Sequence, residues 1–367
     1  MMEIYSLRKH IRQPALADIQ RPAAFTENPA NLVAARRIAI MLVCWMEVRT
    51  EMGKWQGKIG IVGAGSVGAT IAYACLVKGI GKHISLYDVA KSRVDAEVLD
   101  LNHGVQFVPM ATVDGSDDIN VMADCDVIVI SAGARQKPGQ SRIELAGINA
   151  EMCRTLVPNL LKVAPDATIL MVTNPVDVLT YVALKVSGLP IHRVFGSGTV
   201  LDSARFRYMI AQHCAVAVQS VHGYIVAEHG DTEIPLWSSA NIGGVPVQSW
   251  EMPGHGPLTA DDEKKILHGV RNSAEMIIQG KGATNYAIGL AGSTILEALL
   301  WNERRVLPVS SLLTNYRGIS DVCISVPSVV GHKGVERLLP VPMNAEEEAG
   351  LRASADSIRN VIRTLGF

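Results

Sequence analysis

From Lys58 onward, short apolar runs recur along the chain, separated by longer stretches with helical spacing. K-I-G-I-V (58–62) is such a run and ends in glycines, which suits a buried parallel strand. Residues 66–80 carry apolar positions spaced for a helix. I-S-L-Y-D (84–88), V-I-V-I (127–130) and T-I-L-M-V (168–172) predict further strands. Helical stretches lie between them, including 142–163. Strands that alternate with helices predict βαβ units and a parallel sheet. Past Pro175 the texture changes. A helical stretch (199–213) is followed by strand-like S-V-H-G-Y-I-V (220–226) and a hairpin-like I-G-G-V-P-V (242–247). Two long helices follow, roughly 260–280 and 285–300, then strand-like runs at 306–313 and 322–327. An amphipathic helix over 345–365, opened by an Asn344…Glu347 cap, closes the chain. The predicted boundary lies near residue 200, giving units over 57–200 and 201–367 with a cleft between them.

Residues 1–56 read differently. Residues 1–31 are polar and contain Pro14, Pro22 and Pro29. The apolar run I-A-I-M-L-V-C-W (38–45) is too short to span a membrane. A targeting segment, an extra helix and upstream sequence before a start at Met52 are competing readings, and the extension is of uncertain status. We favour a start at Met52 or a loosely attached segment.

Composition narrows the function classes. The 367 residues are 48% hydrophobic and 19% charged, as expected of a globular chain with a large core. A net charge of -1 supplies no general basic field for nucleic acid. Cys44, Cys75, Cys125, Cys153, Cys214 and Cys323 are far apart, with no C-x-x-C. That predicts free thiols in a reducing, cytoplasmic setting and no zinc site. No run reaches the length of a membrane span.

Gly63-Ala64-Gly65-Ser66-Val67-Gly68 is G-x-G-x-x-G, placed directly after a strand and opening a helix. Asp88 ends the next strand. This is the context of a dinucleotide site on a Rossmann-type, doubly wound parallel sheet, here followed by an α+β domain. Gly63 permits a tight turn, Gly65 lets a pyrophosphate approach the backbone, and Gly68 brings helix and strand close. The free N–H groups from Ser66 and Val67 onward and the helix dipole favour the phosphates. A carboxylate at Asp88 accepts from ribose hydroxyls and repels a 2′-phosphate, so NAD is expected over NADP.

Three polar segments stand out. S-A-G-A-R-Q-K-P-G-Q-S-R (131–142) follows the third predicted strand. L-D-S-A-R-F-R (201–207) places Asp202 and Arg205 on one helical face, and A-E-H-G-D (227–231) ends a strand. A lone histidine is usually structural. His229 differs because acidic residues flank it, and a buried carboxylate such as Asp202 would favour its imidazolium.

These stretches, with D-L-N-H-G, V-T-N-P-V-D and K-G-A-T-N-Y-A-I-G, resemble the L-lactate/L-malate dehydrogenase family over about residues 57–366, and within it the bacterial L-lactate dehydrogenases. The resemblance implies an NAD-dependent reduction of a 2-keto acid. His229 would be the acid/base, oriented by Asp202. Arg205 would clamp the substrate carboxylate with its two-pronged guanidinium, and Arg142 would polarise the carbonyl. Asn174 would border carbonyl and nicotinamide. Thr284 would line the substrate pocket and Ile288 would face the nicotinamide, with simple packing a close competitor for both. Gln136 occupies the position where the family carries glutamine for lactate and arginine for malate. A second substrate carboxylate buried against a neutral side chain costs several kcal/mol, so pyruvate is expected. Malate or a branched L-2-hydroxy acid is the alternative substrate, and a catalytically silent nucleotide-binding protein the alternative class. The family also implies a homotetramer, with Arg207 and His222 as carry-over positions for fructose 1,6-bisphosphate. Ala227 stands where glycine is common in relatives, and Asn285 where an aromatic or other residue often sits.

Overall fold

The computed structural model describes residues 57–134, 142–251 and 256–367, without the side chain of Arg142. The readings made for residues 1–56 and for Gln136 lie outside these residues. The first half alternates as the sequence predicts. Strand β1 (Lys58–Val62) leads into α1 (Ser66–Lys78), β2 (His83–Tyr87), α2 (Lys91–Gly104) and β3 (Thr112–Ser116). Then come β4 (Val127–Ile130), α3 (Arg142–Val163), β5 (Thr168–Met171), α4 (Val176–Ser187) and β6 (Val194–Gly196). All pairings among β1 to β6 are parallel. β1 pairs β2 on one side and β4 on the other, so the strand order reverses there. The crevice at such a reversal is where open α/β sheets take ligands.

Helix α5 (Val200–His213) follows, then the two-residue strands β7 (Val221–His222), β8 (Ile225–Val226), β9 (Ile234–Pro235), β10 (Asn241–Ile242) and β11 (Val245–Pro246). The predicted single strand over 220–226 is in fact split. β7 pairs β10 and β8 pairs β9, in separate small sheets. Gly223 sits at the break, where a Cβ would meet the Phe206 ring at 2.9 Å. The predicted hairpin is present, with Gly243 and Gly244 turning at φ of 58° and 91°. Such positive φ values are cheap only for glycine. Helices α6 (Ala260–Lys281) and α7 (Tyr286–Leu300), strands β12 (Arg305–Leu312), β13 (Cys323–Gly331) and β14 (Gly334–Leu338), and helix α8 (Ala345–Thr364) complete the chain.

The large sheet does not stop near residue 200. It runs β14-β13-β12-β6-β5-β4-β1-β2-β3, with β12 antiparallel to β6 through Ser310 opposite Gly196. The strands β1, β4 and β5 are almost wholly aliphatic and buried on both faces, as parallel strands under two helical layers must be. One core layer gathers Ile130, Met171, Leu179 and Ile358, and the other Ile61, Leu86, Val129 and Leu296.

The cap of α8 forms as predicted. Asn344 Oδ1 accepts from Glu347 N at 2.9 Å, and Glu347 Oε2 accepts from Asn344 N at 2.9 Å. Glu347 also accepts from Ser238 N, which ties α8 to the segment after the catalytic histidine candidate.

Candidate active site

The glycine turn is built as the fingerprint requires. Gly63 has φ +100°, and a Cβ there would meet Ala132 N at 2.7 Å. A Cβ on Gly68 would lie 1.9 Å from Gly63 O, so α1 can approach β1 only with glycine at that position. Gly65 has open space where its Cβ would be, which leaves its backbone free to face a phosphate. As N-cap of α1 it offers no side-chain cap, so the helix's first N–H groups remain available.

Asp88 does more than the sequence suggests. Its Oδ2 accepts from Ala64 N at 2.8 Å and its Oδ1 from Ala90 N at 2.9 Å. The carboxylate therefore fixes the glycine turn as well as facing the cavity. That cavity is about 620 Å³ and runs from Gly65, Ser66 and Asp88 past Asn174 to Arg205 and His229. Thr284 and Ile288 also line it. An adjoining cavity of about 380 Å³ shares Asn174, Arg205 and His229, and is walled by Glu233, Arg271 and Ile358. A dinucleotide thus has a glycine cradle, an acidic strand end and a continuous space leading to a histidine.

Asp202 and Arg205 stand one helical turn apart on α5. Asp202 is 2% exposed, and its two oxygens are shared between two cations. Oδ2 lies 2.5 Å from His229 Nδ1, and Oδ1 accepts from Arg205 Nη1 at 2.9 Å. Burial alone would raise the Asp202 carboxyl, but His229 and Arg205 outweigh it and hold it below the usual range. In return the Asp202 charge, working against burial, lifts His229 to about 9. The ring is therefore an imidazolium at neutral pH, with its other nitrogen free to act as a donor toward the cavities it lines.

The backbone around His229 is tightly held. Ala227 exchanges hydrogen bonds with Ser325 on β13, at 2.9 and 3.0 Å. Ala227 has φ +76°, in the left-handed region, which suits glycine and costs about 1–2 kcal/mol for alanine. Glu228 N donates to Ser354 Oγ on α8, and His229 N donates to Asp177 Oδ2 at 2.8 Å. At the other departure, Asn285 donates to Thr70 Oγ1 at 3.0 Å and accepts from Lys281, bridging α1 to the start of α7.

Three polar residues here escape sequence reasoning. Asn149, fully buried on α3, accepts from Ala134 N and donates to Asn174 O, joining the ends of β4 and β5. Glu233 is buried beside the Asp202–His229 pair, and burial together with the Asp202 charge lifts it to about 8. Asp177 is buried in the first turn of α4. Internal carboxylates and amides leave no mark in a hydropathy pattern. Arg207 and His222 line neither cavity but do lie near each other. Arg207 Nε donates to Gly223 O at 2.8 Å, its guanidinium sits 5.0 Å over the Tyr224 ring, and His222 is exposed. Among the described residues, no group of three His, Cys, Asp or Glu side chains is placed to hold a metal.

A glycine-turn nucleotide cradle opening onto a histidine–carboxylate pair and an arginine defines a pyridine-nucleotide dehydrogenase of the hydroxy-acid type. Residues 57–196 match the lactate/malate dehydrogenase NAD binding domain, and residues 199–365 the lactate/malate dehydrogenase alpha/beta C-terminal domain. The chain belongs to the lactate/malate dehydrogenase family. It is 53% identical over 311 residues to an L-lactate dehydrogenase of Bifidobacterium animalis subsp. lactis, covering 84% of this chain and 97% of that one. An L-lactate dehydrogenase of Acetivibrio thermocellus is 46% identical over 309 residues, again covering 84% and 97%. A lactate dehydrogenase from a Medee basin deep-sea metagenome library superposes with a TM-score of 0.82 at 37% identity, covering 85% of this chain and all of that one. The minor L-lactate dehydrogenase of Enterococcus mundtii in ligand-bound form gives 0.81 at 37% identity, covering 85% and 98%.

Proposed function

We propose that this chain is an NAD-dependent L-lactate dehydrogenase, interconverting pyruvate and (S)-lactate, with His229 as proton donor and acceptor. The observation that carries the chemistry is the Asp202 carboxylate shared between His229 and Arg205 at the end of the nucleotide cavity. Bound NADH supplies the hydride. Arg205 takes the substrate carboxylate on its fork and thereby sets the keto carbon between the cofactor side and His229. His229, held as imidazolium by Asp202, gives its proton to the carbonyl oxygen, and as imidazole accepts the hydroxyl proton in the reverse direction. Asn174, already fixed through Asn149, orients the carbonyl, and Arg142 stabilises developing alkoxide charge. Thr284 would bound the methyl end of the substrate and Ile288 would pack beside the nicotinamide. Gly63, Gly65, Ser66, Val67, Gly68 and Asp88 hold the cofactor.

Pyruvate is preferred to oxaloacetate because Gln136 carries no charge to meet a second carboxylate. The 53% identity to an L-lactate dehydrogenase supports the same choice. The test compares kcat/KM for pyruvate and oxaloacetate in the wild type and in Gln136→Arg. The substitution is expected to move the ratio toward oxaloacetate by about 100-fold, the equivalent of about 3 kcal/mol. An unmoved ratio contradicts the role of Gln136.

In the same reading the enzyme works as a homotetramer in the reducing cytoplasm, in fermentative glycolysis. The free thiols of the five described cysteines suit that compartment. Arg207 and His222, repeated across a two-fold axis, bind fructose 1,6-bisphosphate as an activator. Titrating this effector at subsaturating pyruvate is expected to lower the pyruvate KM several-fold, and Arg207→Gln to abolish the response. A flat titration of the wild type contradicts the effector site.

A further inference from the structure

This inference rests on the proposed acid/base role of His229 and concerns a carboxylate that the role leaves unused. Asp177 lies in the first turn of α4, three residues after Asn174, and is 1% exposed. Its Oδ2 accepts from His229 N at 2.8 Å, and its Oδ1 is buried. The Ser310 hydroxyl on β12 is buried against this carboxylate and, as a side-chain hydrogen-bond donor, favours its charged form. Cys323 on β13 is the other titratable side chain packed near this carboxylate, and Glu228 adds a like charge. Around the ring of His229 itself stand Asp202, Arg205, Glu233 and Arg271. Asp202 holds the ring, whereas Asp177 holds the backbone that carries the ring. One turn of chain, Asn174 to Asp177, thus joins a residue on the wall of the nucleotide cavity to His229.

We infer that Asp177 is a positioning residue for proton transfer: its carboxylate anchors the His229 backbone to the β5–α4 turn and adds a second negative charge that favours the imidazolium. Its cost to the fold argues for this role. Burial lifts Asp177 to about 6, so it is ionised at neutral pH. A carboxyl raised in the folded state destabilises the fold as pH climbs from its ordinary value through the raised one. An asparagine would satisfy His229 N with no charge, so the hydrogen bond alone does not account for an ionised group. The charge has its favourable partner in His229, where Asp177 reinforces the upward effect of Asp202.

The experiment measures the pH dependence of the pyruvate KM in the wild type, Asp177→Asn and Asp177→Ser, with NADH binding and thermal melting alongside. Asparagine preserves the shape and the acceptor for His229 N, removes the charge, and turns the other oxygen into an NH2 that the Ser310 hydroxyl can accept from. Asp177→Asn is expected to melt no lower than the wild type and to bind NADH equally. The pH at which its pyruvate KM begins to rise is expected to fall by about one unit, costing about twofold in kcat/KM at about pH 8 and approaching tenfold by about pH 10. The serine variant keeps an acceptor in a smaller side chain and is expected to show the same displacement, so a folding defect in one variant leaves the comparison in the other. A wild-type pH profile in the folded variants overturns the inference. So does an equal loss of kcat/KM at every pH, which marks a purely structural group. Failure of the wild type to reduce pyruvate sinks the functional reading instead, and the two failures are told apart within one data set.

Discussion

His229→Ala is expected to lower kcat for pyruvate reduction by about a thousandfold while NADH still binds. A positioned general acid is worth about 10² to 10⁴ in rate, and His229 is the group whose ring faces both cavities in the charged form. The cofactor cradle is built from β1, α1 and Asp88, and none of these contacts depends on the imidazole. The expected pattern is therefore lost turnover with NADH affinity unchanged to within about twofold, read by steady-state kinetics and by quenching or enhancement of NADH fluorescence. The pH behaviour follows from the same geometry. His229 is raised from 6.5 to about 9, principally by Asp202. Pyruvate reduction by the wild type should hold through neutral pH and fail as pH rises through about 9. The contribution of the pair to folding has the same sign: it is complete below the ordinary histidine value and is lost as pH rises through the raised one. Near-wild-type turnover in the alanine variant contradicts the assignment of the proton donor.

Asp202→Asn is expected to have the second-largest effect, with a different signature. Asp202 is buried and serves two cations at once. Asparagine keeps the shape but leaves His229 and Arg205 without their shared negative charge. Removing one side of a buried charge cluster costs about 3–5 kcal/mol, so the variant should melt well below the wild type. The imidazole should return toward its ordinary range and be mostly neutral at about pH 7.5, cutting kcat/KM for pyruvate by about tenfold through loss of ring charge alone. Activity should recover in part at about pH 6, where the ring is protonated without help. Such acid rescue distinguishes loss of ring charge from simple misfolding. Equal loss at both pH values contradicts the electrostatic role.

Much of this was legible in the residues because it depends on local pattern. The glycine turn, Asp88 at the next strand end, and Asp202 three residues before Arg205 are all short-range features. Burial of whole strands made β1, β4 and β5 plain as apolar runs. The split of 220–226 into strands of two sheets was hidden, because an apolar run does not reveal a bend at Gly223 against the Phe206 ring. The meeting of Asp202 and His229, 27 residues apart, could be suggested by resemblance but not by spacing. Asp177, Asn149 and Glu233 were invisible for a related reason. Their importance lies in which distant backbone group or charge they reach inside the core, and polar residues there look like any surface polar residue in sequence. The sheet that runs on through β12 to β14 was likewise unreadable, since antiparallel addition at β6 rests on a single register pair.

The central claim is tested most directly by following NADH oxidation with pyruvate, oxaloacetate and 2-ketoisocaproate side by side at neutral pH. The account predicts that pyruvate gives the highest kcat/KM, by about 100-fold over oxaloacetate, in keeping with an uncompensated second carboxylate. A preference for oxaloacetate or 2-ketoisocaproate would contradict the pyruvate pocket, and no oxidation with any of the three in protein that binds NADH would contradict the dehydrogenase itself.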